Sequence, residues 1–268
     1  MMPSFSRRTF FTHSSALLLS AAAPAWLRAT EAAWPAERDA GVFRCHADFS
    51  LAEYDDLFTE LGRLEDDLRE ALEVGAAREE IHLFLFERRA TYQAYLQQYF
   101  PKVPARKALY IKGRGPGMVF AYRSNELEVD VRHESTHALL HATIQNIPLW
   151  LDEGLAEYFE VPASERIAKN PYVSGVRWNV RLGYIPNLVE LEALRDLNEM
   201  GRNEYRDAWA WVHFLLHGGK ESQEVLRSYL RQLAAGQEPG PLSEHLKRNI
   251  DDPDNAYAMH YRRWRVTS

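Results

Sequence analysis

The sequence has one cysteine, an excess of negative charge and no internal repeat, and each of these features narrows what the protein can be. Cys45 alone excludes an intramolecular disulfide and a thiolate metal cluster. The 268 residues carry a formal net charge of −6, which argues against nucleic acid or an anionic membrane surface as the main partner. Without repeats or long linkers, the chain is expected to form one domain rather than an array.

The first thirty positions contain no acidic residue, and the first one in the chain is Glu31. Arg7 and Arg8 precede an apolar stretch at 16–27, which is shorter than the roughly 20 residues that span a bilayer. This arrangement resembles a bacterial twin-arginine signal, so residues 1–29 are expected to direct export to the periplasm or beyond, leaving no membrane span after their removal. The alternative is an Arg-flanked anchor or a disordered tail. Removal leaves 29 basic and 38 acidic residues, a net charge of −9.

The first half of the remaining chain alternates strand-like and helix-like segments. Leucines at three- and four-residue spacing predict a helix over 51–73, and a second helix is predicted over 90–99. Strands are predicted at 42–46, 81–86, 108–112 and 118–122. The glycine-rich segment 113–117 predicts a hairpin turn, because a phosphate-binding loop would need a helix directly after it. The resulting order is β-α-β-α-β-β.

From residue 126 onward helical patterns dominate. Helices are predicted over 126–142, 150–160, 204–217, 221–235, 241–249 and 253–265. The segment 161–200 is polar and loop-like, apart from a short apolar stretch at 188–194. The pattern predicts an α+β fold, an N-terminal mixed β-sheet with helices followed by a mostly helical half. We expect one domain over 40–265, with a sheet part (40–125), two junction helices (126–160) and a helical part (161–265).

Residues 133–137 form the pattern H-E-x-x-H in a segment that predicts a helix. Residues four apart in a helix lie about 6 Å apart along the axis and about 40° apart around it, so His133 and His137 can reach one ion. Glu134 is rotated about 100° from His133, close to a metal-bound water but outside the coordination positions. Zn²⁺ lowers the pKa of such a water towards about 7, and a neighbouring carboxylate can take its proton as attack begins.

A catalytic zinc usually takes three protein ligands and leaves the fourth position for water. His141 lies about 12 Å along the helix axis from His133, which makes it a poor third ligand. Glu153 and Glu157 follow a turn at Pro148 and are again four residues apart, so one can bind metal while the other accepts a proton from a ligand imidazole. The competing interpretation is a solvated acidic face of an amphipathic helix. The acidic residues concerned are Asp152, Glu153, Glu157 and Glu160.

The two segments together resemble the gluzincin superfamily of zinc metallopeptidases. The likeness rests on H-E-x-x-H at 133–137 and W-L-D-E-G-L-A-E-Y at 150–158, and is strongest to the peptidase-MA-like domains of bacterial exported proteins. It implies a zincin-like catalytic domain with one Zn²⁺ ion. The ligands that it implies are His133, His137 and Glu153. Glu134 then corresponds to the general base, and Glu157 to the acidic residue that hydrogen-bonds a ligand.

The resemblance also implies a substrate-binding strand. In such enzymes the strand before the motif helix often binds the substrate backbone by adding it to the sheet. Here that strand comprises Met118, Val119, Phe120, Ala121 and Tyr122. One departure is the spacing, because only fifteen residues separate His137 from Glu153, fewer than in the best-known aminopeptidase and thermolysin-like members. The implied substrate is a peptide or protein.

Attack on a carbonyl builds negative charge on its oxygen, so a stabilising group is also needed. Tyr205 begins a predicted helix at a position where related enzymes often place a tyrosine or histidine, and we predict it as that group. The alternative for Tyr205 is a packing role beside Trp209. His213 is a weaker candidate, because a core or capping histidine explains it better.

The sequence therefore predicts an exported zinc metallopeptidase that hydrolyses peptide bonds through a zinc-bound water activated by Glu134. One alternative is a hydrolase acting on a non-peptide amide, an ester or a cell-wall fragment. Another is a non-catalytic, zinc-containing binding or scaffold protein. The presence of Glu134 argues against the latter, since a structural zinc site is closed by four protein ligands and has no use for a base. The oligomeric state stays open.

Overall fold

The computed structural model describes residues 34–104, 106–112 and 115–264. The predicted signal at 1–29 lies outside these residues, as does part of the predicted turn, 113–114. The described chain has the predicted α+β fold, with a mixed five-stranded sheet followed by helices. The strands are β1 (Ala36–Ala40), β2 (Phe43–Ala47), β3 (Ile81–Phe86), β4 (Ala108–Lys112) and β5 (Gly117–Tyr122).

The helices follow the predicted order with two additions in the middle of the chain. Those of the first half are α1 (Asp55–Leu72), α2 (Arg89–Tyr99), α3 (Leu127–Thr143) and α4 (Leu149–Phe159). The later ones are α5 (Val173–Arg181), α6 (Leu188–Ala193), α7 (Arg202–His217), α8 (Lys220–Ala234), α9 (Leu242–Asn249) and α10 (Pro253–Arg263). The additions are α5 and α6, and most bounds of the other helices lie within two residues of the prediction.

The strands lie in the order β1-β2-β3-β5-β4. β2, β3 and β5 run parallel, while β1 and β4 are antiparallel to their neighbours. The pairing of β4 with β5, from Ala108 opposite Ala121 to Lys112 opposite Gly117, confirms the predicted hairpin. β1 was not predicted, because its sequence A-E-R-D-A is polar and its place at the sheet edge depends on backbone pairing with β2.

The sheet separates two apolar clusters of unequal size. Because alternate side chains of a strand point to opposite faces, Leu83 and Leu85 of β3 enter the main core, whereas Phe84 and Phe86 face the other way. The outer face is covered by α2, and the inner face carries α1, α3 and the helical half. The helix α3, which carries the H-E-x-x-H motif, packs against β4 and β5 and also against α4, so it lies at the junction of the two halves.

Helix α5 falls in the segment predicted as loop-like. Its valines and Gly175 have low intrinsic helix propensity, which conceals the pattern. Val173, Val176 and Val180 are nevertheless buried at helical spacing, and the helix packs against α7 and α10. Tertiary packing therefore outweighs the local preference. Within the described residues, none of the helices combines the length and apolar character needed to cross a membrane.

Candidate metal centre

Helix α3 presents two histidines toward the junction between the sheet and the helical half. Its other side is apolar, with Val131, Leu139 and Leu140 buried in the main core. His133 and His137 stand one turn apart, and their Nε2 atoms lie 3.2 Å from each other. The helix thus brings two potential metal-ligand nitrogens to one point.

Helix α4 brings Glu153 to the same point. Its Oε2 lies 3.5 Å from His133 Nε2 and 3.6 Å from His137 Nε2. Zinc held at about 2.0–2.2 Å in tetrahedral geometry separates its ligand atoms by roughly 3.3–3.6 Å, so this triangle has the dimensions of a zinc site. Two imidazoles and one carboxylate are also a donor set that zinc prefers. The three residues therefore fit a zinc ion.

Gly154 allows helix α4 to approach helix α7 closely. A Cβ at this position would lie 2.8 Å from the backbone oxygen of Ala208 and 2.9 Å from the side chain of Val212. Such distances are too short for real Cβ contacts, so only glycine fits here without movement of the helices. This close contact fixes the turn of α4 that carries the adjacent Glu153.

The second ring nitrogen of each histidine faces a carboxylate. His133 Nδ1 lies 2.9 Å from Glu160 Oε2, and His137 Nδ1 lies 3.0 Å from Asp152 Oδ1. An imidazole that binds metal through Nε2 carries its proton on Nδ1 and donates it to such a carboxylate, which fixes the ring. With a metal bound, both Nε2 lone pairs would be aimed at the point shared with Glu153.

Glu157 has a different partner from the one that the sequence predicts. The predicted contact with a ligand histidine belongs to Glu160, because the buried Arg132 of α3 donates to the backbone carbonyl of Glu160 at 2.5 Å and ties the end of α4 to α3. Glu157 is hydrogen-bonded to Tyr172 instead. Burial, followed by the charge of Glu160, raises the pKa of Glu157 to about 7.

The electrostatic surroundings of the histidines favour a cation. Burial lowers the pKa of an imidazole, but the hydrogen bonds to Glu153 and Glu160 raise the pKa of His133 well above its ordinary value. Against the same burial, Asp152 and Glu153 raise the pKa of His137 to about 10. Burial alone would raise the pKa of Glu153, yet the two histidines lower it to about 2. Since Asp152 and Glu153 are buried, the alternative of a solvated acidic face does not hold for them.

Glu134 and Tyr205 lie beside this triangle, whereas His213 does not. Glu134 follows His133 on α3, is half-buried, and its charge contributes to the raised pKa of His133. Burial and then the charge of Glu153 raise the pKa of Tyr205 to about 12. Tyr205 therefore keeps its hydroxyl proton, and the effect of Glu153 shows that it lies within electrostatic range of the triangle. His213 is fully buried elsewhere, with its Nδ1 3.0 Å from His260 Nε2, and is a core histidine.

The predicted role of Met118–Tyr122 in binding a peptide backbone is wrong. This strand, β5, pairs with β3 on one side and β4 on the other, so its backbone groups are already engaged. The hairpin fixes the pairing of β4 with β5 in the sequence, but not which of the two lies outermost. Within the described residues the outer strand is β4, and the ring of its Tyr110 stacks at 5.7 Å on His141 of α3.

The structure places three further residues at the site, for which the sequence predicts no role there: Asp152, Glu160 and His141. Asp152 directly precedes the candidate ligand Glu153, so the sequence pattern shows it only as part of an acidic helix face. His141 continues the four-residue series of His133 and His137, and that repeat is the signal that could have found it. The contact of Glu160 depends on how α4 ends, which no local pattern encodes.

The comparisons with known proteins bear on the fold. No family model and no curated protein matches the sequence. Among solved structures, a point mutant of the M1 zinc metallopeptidase from Deinococcus radiodurans is similar at a TM-score of 0.51 and 17% identity, over 88% of this chain and 52% of that one. The unmutated enzyme is similar at a TM-score of 0.50 and 17% identity, over 85% and 50%. The chain spans about half the length of these proteins and has a zinc metallopeptidase-like fold.

Proposed function

We propose that the chain is an exported zinc metallopeptidase whose metal is held by His133, His137 and Glu153. The observation that supports this most directly is the triangle of ligand atoms with sides of 3.2, 3.5 and 3.6 Å. Its position at the junction of a zinc metallopeptidase-like fold adds to that support. When bound, zinc supplies a Lewis acid that polarises a carbonyl and lowers the pKa of water to about 7.

Glu134 acts as the general base in this proposal. It lies next to His133 on α3 but outside the triangle of ligand atoms, and it is half-buried rather than sealed in the core. Its carboxylate accepts a proton from the attacking water and passes that proton to the departing amine. A carboxamide of the same shape can do neither, which makes glutamine the informative replacement.

Tyr205 stabilises the developing negative charge on the carbonyl oxygen. Its raised pKa keeps the hydroxyl protonated at neutral pH, so the group is a hydrogen-bond donor. Tyr205 lies at the start of α7, the helix that packs against α4 through Gly154. The same helix contact that fixes Glu153 therefore also fixes the position of this donor.

The outer edge of β4 is the proposed binding surface for the substrate backbone. Within the described part of the chain, no strand pairs with this edge, so its backbone groups can accept an extended peptide. β4 packs against the motif helix α3, and Tyr110 contacts His141 one turn after His137. A peptide added there would run beside the metal triangle, which supports a peptide rather than a compact small molecule as substrate.

The test is digestion of a diverse peptide mixture by zinc-loaded protein, read by mass spectrometry. Glu134→Gln should abolish cleavage while retaining zinc, and Glu128→Gln, an exposed residue of the same helix, serves as the matched control. Cleavage that persists in Glu134→Gln would contradict the role of Glu134 as general base. If the unmutated protein binds zinc but cleaves no peptide, the substrate would instead be a non-peptide amide, an ester or a cell-wall fragment, or the protein would have a binding role.

Export rests on the arginine pair at the start of the sequence. Lysine at both Arg7 and Arg8 keeps the charge but should strand the precursor in the cytoplasm, because a twin-arginine signal is read by a receptor rather than by charge alone. Cell fractionation of the two precursors measures this. Equal secretion of both would contradict the twin-arginine proposal without affecting the proposed zinc chemistry.

A further inference from the structure

Asp152 connects the metal triangle to a third histidine. Its Oδ1 lies 3.0 Å from His137 Nδ1, and its Oδ2 lies 2.8 Å from His141 Nε2. Each oxygen of this one carboxylate therefore has its own imidazole partner. Asp152 is buried, so these two contacts govern its orientation.

His141 is itself held in place from outside the helix. Its ring stacks on Tyr110 of the edge strand β4, with ring centroids 5.7 Å apart and an angle of 26° between the planes. The His141 side chain is 26% exposed, whereas those of His137 and Asp152 are 10% and 12% exposed. The three side chains thus form a continuous line from the rim of the site to the proposed metal ligand.

We propose that His141 is a positioning residue for His137. By donating its Nε2 proton to Asp152 Oδ2, His141 fixes the plane of the carboxylate, so that Oδ1 accepts the Nδ1 proton of His137. That hydrogen bond keeps the Nε2 lone pair of His137 aimed at the point shared with His133 and Glu153. The inference rests on the proposed zinc site, but it does not require that the substrate be a peptide.

The competing explanation is a second metal ion bound by the same line of residues. Ligand atoms of His137, His141 and Asp152 all lie within 4.8 Å of one another. However, Nε2 of His137 already faces His133 and Glu153, so coordination through Nδ1 as well would require an imidazole that has lost both protons. The separate short contact of each histidine to a different oxygen of Asp152 instead matches two hydrogen bonds.

The experiment measures zinc affinity by competition with a chromophoric chelator, together with the number of zinc ions per chain. His141→Ala should weaken zinc binding about tenfold, since outer partners of metal ligands typically contribute 10–100-fold. His141→Gln should restore most of the affinity, because its amide can donate to the same oxygen. His245→Ala is the control, since His245 contacts the Pro239 carbonyl away from this site. The unmutated protein should bind one ion.

A double-mutant comparison tests whether His141 acts through Asp152. In the Asp152→Ala background, His141→Ala should cause no further loss of zinc affinity, and Co²⁺ absorption spectra of the single variants should show the same change in ligand geometry. Unchanged affinity in His141→Ala would overturn the inference, as would additive losses. Two ions in the unmutated protein, falling to one in His141→Ala and His141→Gln, would establish the second metal site instead. Zinc binding without peptide cleavage would refute only the peptidase function.

Discussion

Two pairs of histidines in this chain share one spacing but differ in their surroundings. His133 and His137 lie four residues apart on α3, and His213 and His217 lie four residues apart on α7. The first pair faces Glu153 and belongs to what we call the metal cluster: His133, His137 and Glu153. The second belongs to an aromatic cluster: Tyr158, His213, His217, His260 and Trp264.

Within the residues that the structure describes, the histidines of the aromatic cluster have no carboxylate partners of the kind found in the metal cluster. The His213 ring packs at a tilt against Trp264 and His217, with ring centroids 4.4 and 4.8 Å apart, and His217 Nε2 lies 2.7 Å from the Tyr158 hydroxyl. Burial lowers the pKa of His217 to about 4, and burial with the charge of His217 lowers that of His260 to about 4 as well. In the metal cluster the carboxylates reverse this direction. Spacing on a helix thus brings two imidazoles together, but the neighbouring carboxylates decide whether the place suits a cation.

The largest expected effect comes from replacing the second histidine of each pair. His137→Ala should weaken zinc binding about 10²–10³-fold, because a zinc site worth roughly 10–16 kcal/mol divides among about four ligands. His217→Ala should leave zinc affinity unchanged within about twofold, since it touches none of the metal triangle. Chelator competition measures both. Equal losses of zinc affinity in the two variants would show that the two clusters do not differ in metal binding.

The sequence predicts the three candidate ligands of the metal cluster from local patterns. The four-residue spacing puts His133 and His137 on one face of a helix, and the turn before Glu153 brings the next helix back beside it. The carboxylate contacts of Asp152 and Glu160 depend on how α3 and α4 cross, and the contact between His213 and His260 joins residues 47 apart. Such non-local pairings leave no periodic signal.

The fold shows the same division between local and non-local information. Apolar periodicity predicts α1 and the strand at 81–86, and the glycine-rich turn predicts the β4–β5 hairpin. Which of the two hairpin strands pairs with β3 is a tertiary choice, so the sequence could not show that Met118–Tyr122 lies inside the sheet. The valine-rich α5 was missed because packing against α7 and α10 stabilises it more than its own propensity does.

Tyr205 shares α7 with the aromatic cluster but lies at the end of that helix nearer the metal cluster. Tyr205→Phe should lower kcat about 100-fold with little change in KM or zinc affinity, the usual cost of losing one oxyanion donor. Tyr184→Phe is the control, since its hydroxyl donates to Asp207 of the same helix. Steady-state kinetics on a cleaved peptide provide the measurement. Full activity in Tyr205→Phe would assign it a packing role beside Trp209.

His213 should matter for stability and not for zinc. Its side chain is fully buried and packs on Trp209, Tyr261 and Trp264, so His213→Ala leaves a cavity and should lower the free energy of unfolding by about 2–4 kcal/mol. Urea unfolding of the zinc-free proteins measures the change. A zinc affinity that falls together with stability would show that the two clusters are coupled through α7.

The smallest expected effect is a pH dependence of stability that belongs to the aromatic cluster. The folded-state pKa of His217 is about 4 against an ordinary value of 6.5, so the unfolded chain binds a proton that the folded chain excludes as pH falls below about 6.5. The stability contributed by a neutral His217 is therefore complete above that pH and declines towards pH 4.

His217→Gln cannot bind this proton, yet its amide oxygen can accept a hydrogen bond from the Tyr158 hydroxyl. Between pH 7 and pH 5 the unmutated protein should lose about 1–2 kcal/mol more stability than His217→Gln, measured by urea unfolding without zinc. Parallel pH profiles would mean that His217 already titrates normally and that the aromatic surroundings do not exclude its charge.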